Sequence, residues 1–149
     1  MSELVGISEA ARRCGVAVST LRYWEERGLI QATARRAGVR QFDADQMLRI
    51  GLIQLWQEFA LLSLDEIAIM LADEAVLADD AAPSRVVMRE RIRAIEEQQR
   101  RLAEGKAHLE HSLKCTSPHP AGRCDFMREV VRQRMSGNRI DPNDLDYPA

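Results

Sequence analysis

The sequence predicts a mostly α-helical chain, with a helix-turn-helix and a small wing first and a long heptad-patterned helix after them. Three observations carry this expectation. Two short helical patterns lie on either side of Cys14-Gly15-Val16, one over Ser8–Arg13 and one opening at Val18-Ser19 and closed by Gly28. Next comes an arginine-flanked turn, Arg35-Arg36-Ala37-Gly38-Val39-Arg40. Finally, Met88, Ile92, Ile95, Gln99, Leu102, Lys106, Leu109 and Leu113 recur in alternating steps of four and three.

Length and composition set bounds. The 149 residues suffice for one ordinary domain, or a small domain with an extension. Hydrophobic residues make up 46%, enough for a core, while 30% charged and 5% aromatic residues favour helices. The net charge of −2 excludes a wholesale basic coat for nucleic acid. The distribution is more telling. Up to Trp56 there are eight Arg, no Lys and six acids, giving +2; the remainder has 13 basic and 17 acidic residues, giving −4. No apolar run is long enough to span a membrane, and the start lacks the pattern of a signal peptide, so a cytoplasmic protein is expected. Three cysteines, an odd number, argue against a disulfide framework.

In chain order, Ile7, Ala10 and Ala11 mark the inner face of the first helix, with Ser8 contributing to its start and Gly15 closing it. In the second helix Ser19 or a neighbour is the expected cap, and Leu21 and Trp24 face inward. Residues 32–34 and Val39, Gln41 and Phe42 flank a turn at Arg35–Gly38, forming a two-stranded wing. A basic helix followed closely by a basic hairpin is a physical device for gripping nucleic acid. Asp43 caps a third helix, Ala44 to about Glu58, with Met47, Ile50, Leu52, Ile53 and Leu55 as core positions. Ser63 and Glu66 form a capping box for a fourth helix that buries Ile67, Met70 and Leu71.

Domain boundaries follow from these patterns. Residues 1–73 form the winged domain and the acidic stretch 74–83 a linker. Pro83 then opens a helix over 84–114. A lone helix of that length must bury its seam, and a second copy of the chain is the simplest partner. Gln99 and Lys106 interrupt the seam and restrict register. Residues 115–135 hold a Pro- and Gly-containing loop between Cys115 and Cys124, then a short helix from Asp125 to Met135. A Pro- and Asp-rich tail occupies 136–149.

Several stretches resemble the MerR family of bacterial transcription regulators: Ile7-Ser-Glu-Ala-Ala11, Leu21-Arg-Tyr-Trp-Glu-Glu-Arg-Gly-Leu-Ile30, Gly38-Val-Arg-Gln-Phe42 and Leu62-Ser-Leu-Asp-Glu-Ile67. They come in order over residues 5–114, with the long helix in the expected place. The resemblance implies a winged-helix homodimer joined by an antiparallel coiled coil. Such a dimer binds double-stranded promoter DNA and bends and untwists it so that RNA polymerase can use it. It further implies DNA contacts from Ser19, Thr20, Arg22 and Tyr23 on the second helix. Arg35, Arg36 and Arg40 on the wing join them, with Arg12 and Arg13 secondary. Trp24 stands at the second aromatic of the motif and is expected partly in the core, with its indole N–H toward phosphate. The chain departs from the family at Val39, where a tyrosine is usual, and at Leu61-Leu62, where Gly-Phe is frequent.

Cys115 and Cys124 sit where metal-sensing relatives carry a two-cysteine loop. Two thiolates suit a thiophilic ion such as Cu(I) or Zn(II), and His119, between two prolines, could add a nitrogen. Cys124 opens a helix, where the dipole favours a thiolate and hence redox sensing. A third alternative is structural cysteines with an organic effector. The third cysteine that divalent sensors of the family present at the start of the long helix has no counterpart in Asp79–Ser84. His108 and His111 share a helix face with Cys115 and are further candidate ligands; Cys14 is expected to pack. Among other function classes, no phosphate-binding glycine loop or catalytic triad pattern supports an enzyme. A coiled-coil adaptor would account for 84–114 but not for the arginines.

Overall fold

A computed structural model describes residues 3–73, 79–115, 124–141 and 145. The elements run β1 (Val5–Gly6), α1 (Ile7–Cys14), α2 (Val18–Glu26), β2 (Ala34–Arg36), β3 (Val39–Phe42), α3 (Ala44–Glu58), α4 (Leu64–Ala72), α5 (Pro83–Lys114) and α6 (Asp125–Met135). They fall into two compact units, Met1–Ile92 and Arg93–Ala149.

In the first unit, α1 and α2 are too short to be stable alone. They fold because each supplies two or three side chains to one core: Ile7, Ala10 and Ala11 from α1, Leu21 and Trp24 from α2. Val5, Leu29, Ile30, Phe42, Ile50, Ile53, Leu62, Ile67, Met70 and Val87 complete it. The turn between the helices depends on Gly15, whose φ of 66° suits a residue without a Cβ, and its amide donates to the carbonyl of Arg12. Neither helix has the expected serine cap. Gly6 precedes α1 and Ala17 precedes α2, both extended and without a side-chain cap, so Ser8 and Ser19 lie inside the helices. Packing, not capping, holds these two starts.

The sheet has three strands rather than two. The order is β1-β3-β2, all antiparallel, with Val5 opposite Phe42 and Gly6 opposite Gln41. Two residues are too few to announce a strand by alternation, which is why the sequence shows only the hairpin. The hairpin turn is Ala37-Gly38, with φ of 48° and 78°. Positive φ at both central residues is the two-residue turn whose twist matches its strands. Arg35 and Arg36 therefore belong to β2, where Arg35 faces Arg40 and Arg36 faces Val39.

Asp43 caps α3 by accepting from the Gln46 amide at 2.9 Å. Ser63 and Glu66 form the reciprocal capping box of α4. Leu55 was expected in the core but is exposed. With Leu48 and Phe59 it lies on the outer face of α3. Between α3 and α4, Leu61 adopts a φ of 55° and Leu62 returns to the core. The resemblance expects glycine at 61, and the left-handed backbone gives the physical reason.

The root of α5 belongs to the first unit, so the boundary lies later than residue 73. Val87 is in the core and Met88 packs against it. The Ser84 amide donates to Asp73 Oδ2 at 2.9 Å, and Arg91 pairs with Glu66. Met88 thus spends its apolar surface within its own chain rather than on the seam. From Ile92 onward the seam is mostly exposed: Leu102 and Leu109 are each 65% accessible and Leu113 88%, Gln99 and Lys106 are exposed, and Ile95 is half-buried. In the second unit, α6 has no fully buried residue, and residues 139–141 line an open polar hollow with Glu97, Arg101 and Glu104.

Holding Leu61 in the left-handed region costs about 1 kcal/mol, partly offset on substitution by the extra unfolded-state freedom of glycine. Leu61→Gly is expected to stabilise the first unit by about 0.5 kcal/mol. Urea unfolding of the full chain checks this, and a lower midpoint would show that the exposed Leu61 side chain contributes more than its backbone costs.

Candidate nucleic-acid interface

The charged surface of the first unit divides into arginines with partners and arginines without. Arg22 lies on the exposed side of α2, between the buried Leu21 and Trp24 in sequence. Arg35 and Arg36 lie exposed on β2. Among the described residues these three have no ion-pair partner. Ser19 is exposed and Thr20 half-buried on the first turn of α2. Tyr23 is 46% accessible.

The other candidates are engaged. Arg12 bonds Glu9 through Nε at 2.8 Å and Nη2 at 2.6 Å; Arg13 bonds Glu9 at 2.8 Å and Glu3 at 3.0 Å. The two guanidiniums, Arg12 first, hold the Glu9 carboxyl down to about 2. Arg40 is paired with Glu25 on α2, both partly buried, which takes it out of the set of free cations. Trp24 is 3% accessible, so it is a core residue throughout, not a partly exposed one with an indole N–H offered to phosphate.

Glu25 and Arg27 stand outside the expected set of interface residues, yet both shape it. Arg27 stands four residues after Tyr23, the spacing at which helical side chains meet. Its Nη1 donates to the Tyr23 hydroxyl at 2.9 Å, its guanidinium lies 5.7 Å from the ring centre, and it also pairs with Asp65 of α4. The helical spacing was a usable signal for Arg27. Glu25 has no comparable local signal, because its partner Arg40 is fifteen residues away.

The cysteines fall into three environments. Cys14 is half-buried against the core, and burial pushes its thiol up. Cys115 is exposed just after α5. Cys124 is buried and is the N-cap of α6, its Sγ accepting from the Met127 amide at 3.5 Å. His119 and the loop 116–123 lie outside the described residues, as do 74–78 of the linker and most of the tail. Among the described residues no three His, Cys, Asp or Glu side chains are placed to hold a metal ion. Nor is any helix among them long and apolar enough to cross a membrane.

Two short helices around a glycine turn, a hairpin carrying free arginines and a shared core define a winged helix-turn-helix domain. Residues 6–74 match the model of the MerR HTH family of regulatory proteins, just under half of the chain. It is 36% identical over 69 residues to a protein of Chromobacterium violaceum described as an HTH-type transcriptional activator SoxR homolog. That match covers 46% of this chain and 46% of the relative, so it spans about half of either protein. Among solved structures, a MerR family transcriptional regulator from Bacillus cereus aligns at a TM-score of 0.60 and 20% identity, over 92% of this chain and 100% of its own. The MerR family regulator HiNmlR, which lacks a sensor domain and was solved bound to promoter DNA, aligns at a TM-score of 0.52 and 21% identity, over 78% and 95%. At these identities the structures establish the likeness of fold.

The Glu9 carboxylate sits below its ordinary value of 4.5, so its pairing with Arg12 and Arg13 is complete at neutral pH and is lost only as pH falls through about 2. A carboxyl titration by NMR is expected to find the Glu9 midpoint near 2, and Arg12→Ala to move it up toward 4.5. An unmoved midpoint would leave Arg13 as the sole partner of consequence.

Proposed function

We propose that this chain is a transcriptional regulator that binds double-stranded promoter DNA as a homodimer, in the cytoplasm, and acts by bending and untwisting the DNA for RNA polymerase. The observation that carries the reading is the set Arg22, Arg35 and Arg36, exposed, without ion-pair partners among the described residues and held on α2 and β2 of one core. Arg22 emerges from a helix and can enter the major groove, where a guanidinium reads guanine or grips phosphate. Arg35 and Arg36 approach the flanking backbone. Tyr23, backed by Arg27, offers a hydroxyl to phosphate. Ser19 and Thr20 lie near the helix start, where backbone amides also face the phosphates. The bound promoter DNA of HiNmlR supports the same use of the same fold.

Self-association through α5 is the second part of the proposal. Ile92, Leu102, Leu109 and Leu113 leave a row of exposed apolar side chains, with Ile95 half-buried among them. A partner helix would cover them in the antiparallel coiled coil that the family resemblance implies. Each copy would then present one winged domain, and the spacing between the two would set how the duplex is deformed.

For the effector, we propose a thiophilic ion such as Cu(I) or Zn(II) held by Cys115 and Cys124. Two sulfur donors suit a soft ion of low coordination number, and His119 is the nitrogen donor nearest in sequence. A reversible thiol oxidation is the second reading. It is supported by Cys124 standing as the N-cap of α6, its Sγ accepting from the Met127 amide.

A duplex selected by the wild-type protein from a random-sequence library is the probe for both tests. Arg22→Ala is expected to weaken its binding roughly 10- to 100-fold while the sedimenting mass stays that of a dimer. Undiminished binding would remove α2 from the interface. The double substitution Cys115→Ser with Cys124→Ser is expected to keep DNA affinity and abolish the response of reporter transcription to Cu(I), Zn(II) or oxidant. A full response from that variant would overturn the sensor assignment.

A further inference from the structure

Glu25 is an acid of α2 on a surface that otherwise gathers arginines, and it bonds both β3 and the segment leading to β2. Its Oε2 accepts from Arg40 Nε on β3, and its Oε1 accepts from the Ala32 amide at 3.4 Å, in the segment leading to β2. Glu25 and Arg40 are both partly buried, at 21% and 26% side-chain accessibility, so the pair is less screened than a surface ion pair. Arg40 has Arg35 directly opposite it on the neighbouring strand. Like charges facing each other across two strands are destabilising. Glu25 offsets that repulsion from the helix side. Phe42 shares the face of Arg40, two residues on, and is fully buried, so this face of the sheet is the one turned toward the helices.

We infer that Glu25 is a positioning residue for DNA binding. By holding Arg40 and the Ala32 amide it sets the wing against α2, and so sets Arg35 and Arg36 against Arg22. Arg40 serves as the tether, not as a phosphate contact. The inference rests on the DNA-binding reading above and adds to it the device that fixes the geometry. The hairpin has only three and four residues in its strands and is too small to keep that orientation unaided.

The sign of one substitution separates this role from simple electrostatics. Glu25→Ala removes a negative charge from a surface facing polyanionic DNA and frees Arg40. Electrostatics alone therefore requires tighter binding and a salt dependence steeper by about one phosphate contact. The positioning role requires the opposite: binding about tenfold weaker, with no steepening. Glu25→Gln keeps an acceptor for Ala32 without the charge and is expected to fall between wild type and Glu25→Ala. The measurement is a salt titration of affinity for the duplex selected by the wild-type protein. Amide hydrogen exchange on the DNA-free protein accompanies it; residues 34–42 are expected to exchange faster in Glu25→Ala, while α3 keeps its protection and so reports an intact fold. Tighter binding with a steeper slope, or unchanged exchange in the wing, would overturn the inference and leave the DNA-binding reading standing. Failure of the wild-type protein to select any duplex would overturn both.

Discussion

The fold of the first unit depends on one small core built from very short elements. An eight-residue helix, a nine-residue helix and strands of two to four residues cannot hold their shape in water separately. Leu21, Phe42, Ile50, Ile53 and Ile67, all fully buried, hold α2, β3, α3 and α4 together. Phe42 matters most to the wing, because it is the residue of the β2–β3 hairpin that enters the core. Arg22 and Tyr23 are thus positioned by their buried neighbours on α2, Leu21 and Trp24, and Arg40, which ties the wing to α2, by Phe42 two residues on along the same face of β3.

Charge compensation then sorts the arginines. Up to Trp56 there are eight, and a surface carrying all of them free would bind any polyanion with little geometry. Glu9 takes Arg12 and Arg13, Glu25 takes Arg40, and Asp65 takes Arg27, which in turn backs Tyr23. Glu9 and Glu25, two of the six acids in this segment, are therefore structural parts of it. Arg49 donates to the Leu29 carbonyl, and what is left over, Arg22, Arg35 and Arg36, is a smaller and more directed set than the sequence suggests.

The local features of the fold were legible in the sequence. Gly15 ends α1, Asp43 caps α3, Ser63 with Glu66 caps α4, and Pro83 opens α5, each because its cause lies within four residues of its effect. The misses have the opposite character. Strand β1 exists only because β3 offers it an edge, and Ala17 opens α2 because tertiary packing replaces a cap. Arg40 could be read as basic but not as paired, since Glu25 meets it only after the chain has turned twice. Trp24 carries a polar indole N–H in the sequence yet is buried in the shared core. Leu55 carried the right periodicity for the core but lies on the second apolar stripe of α3, with Leu48 and Phe59; periodicity alone does not say which stripe turns inward.

Glu66 shows how a legible local motif can hide a second task. Within α4 it completes the capping box by accepting from the Ser63 amide at 2.7 Å. The same carboxylate also pairs with Arg91 on α5, twenty-five residues on. Burial alone would push its pKa up, but the bonds from Ser63 and Arg91 outweigh that and hold it below the usual carboxylate range. The pair is only partly exposed, so each member would be costly to leave without the other. The contribution is present above the ordinary carboxylate pKa and is lost as pH falls through the depressed one. Glu66 therefore joins the start of α4 to the root of α5, where Val87 and Met88 already sit in or against the core. The winged domain does not end at a linker before α5 begins; it includes the first turns of α5, and the first exposed residue of the seam, Ile92, follows directly after Arg91.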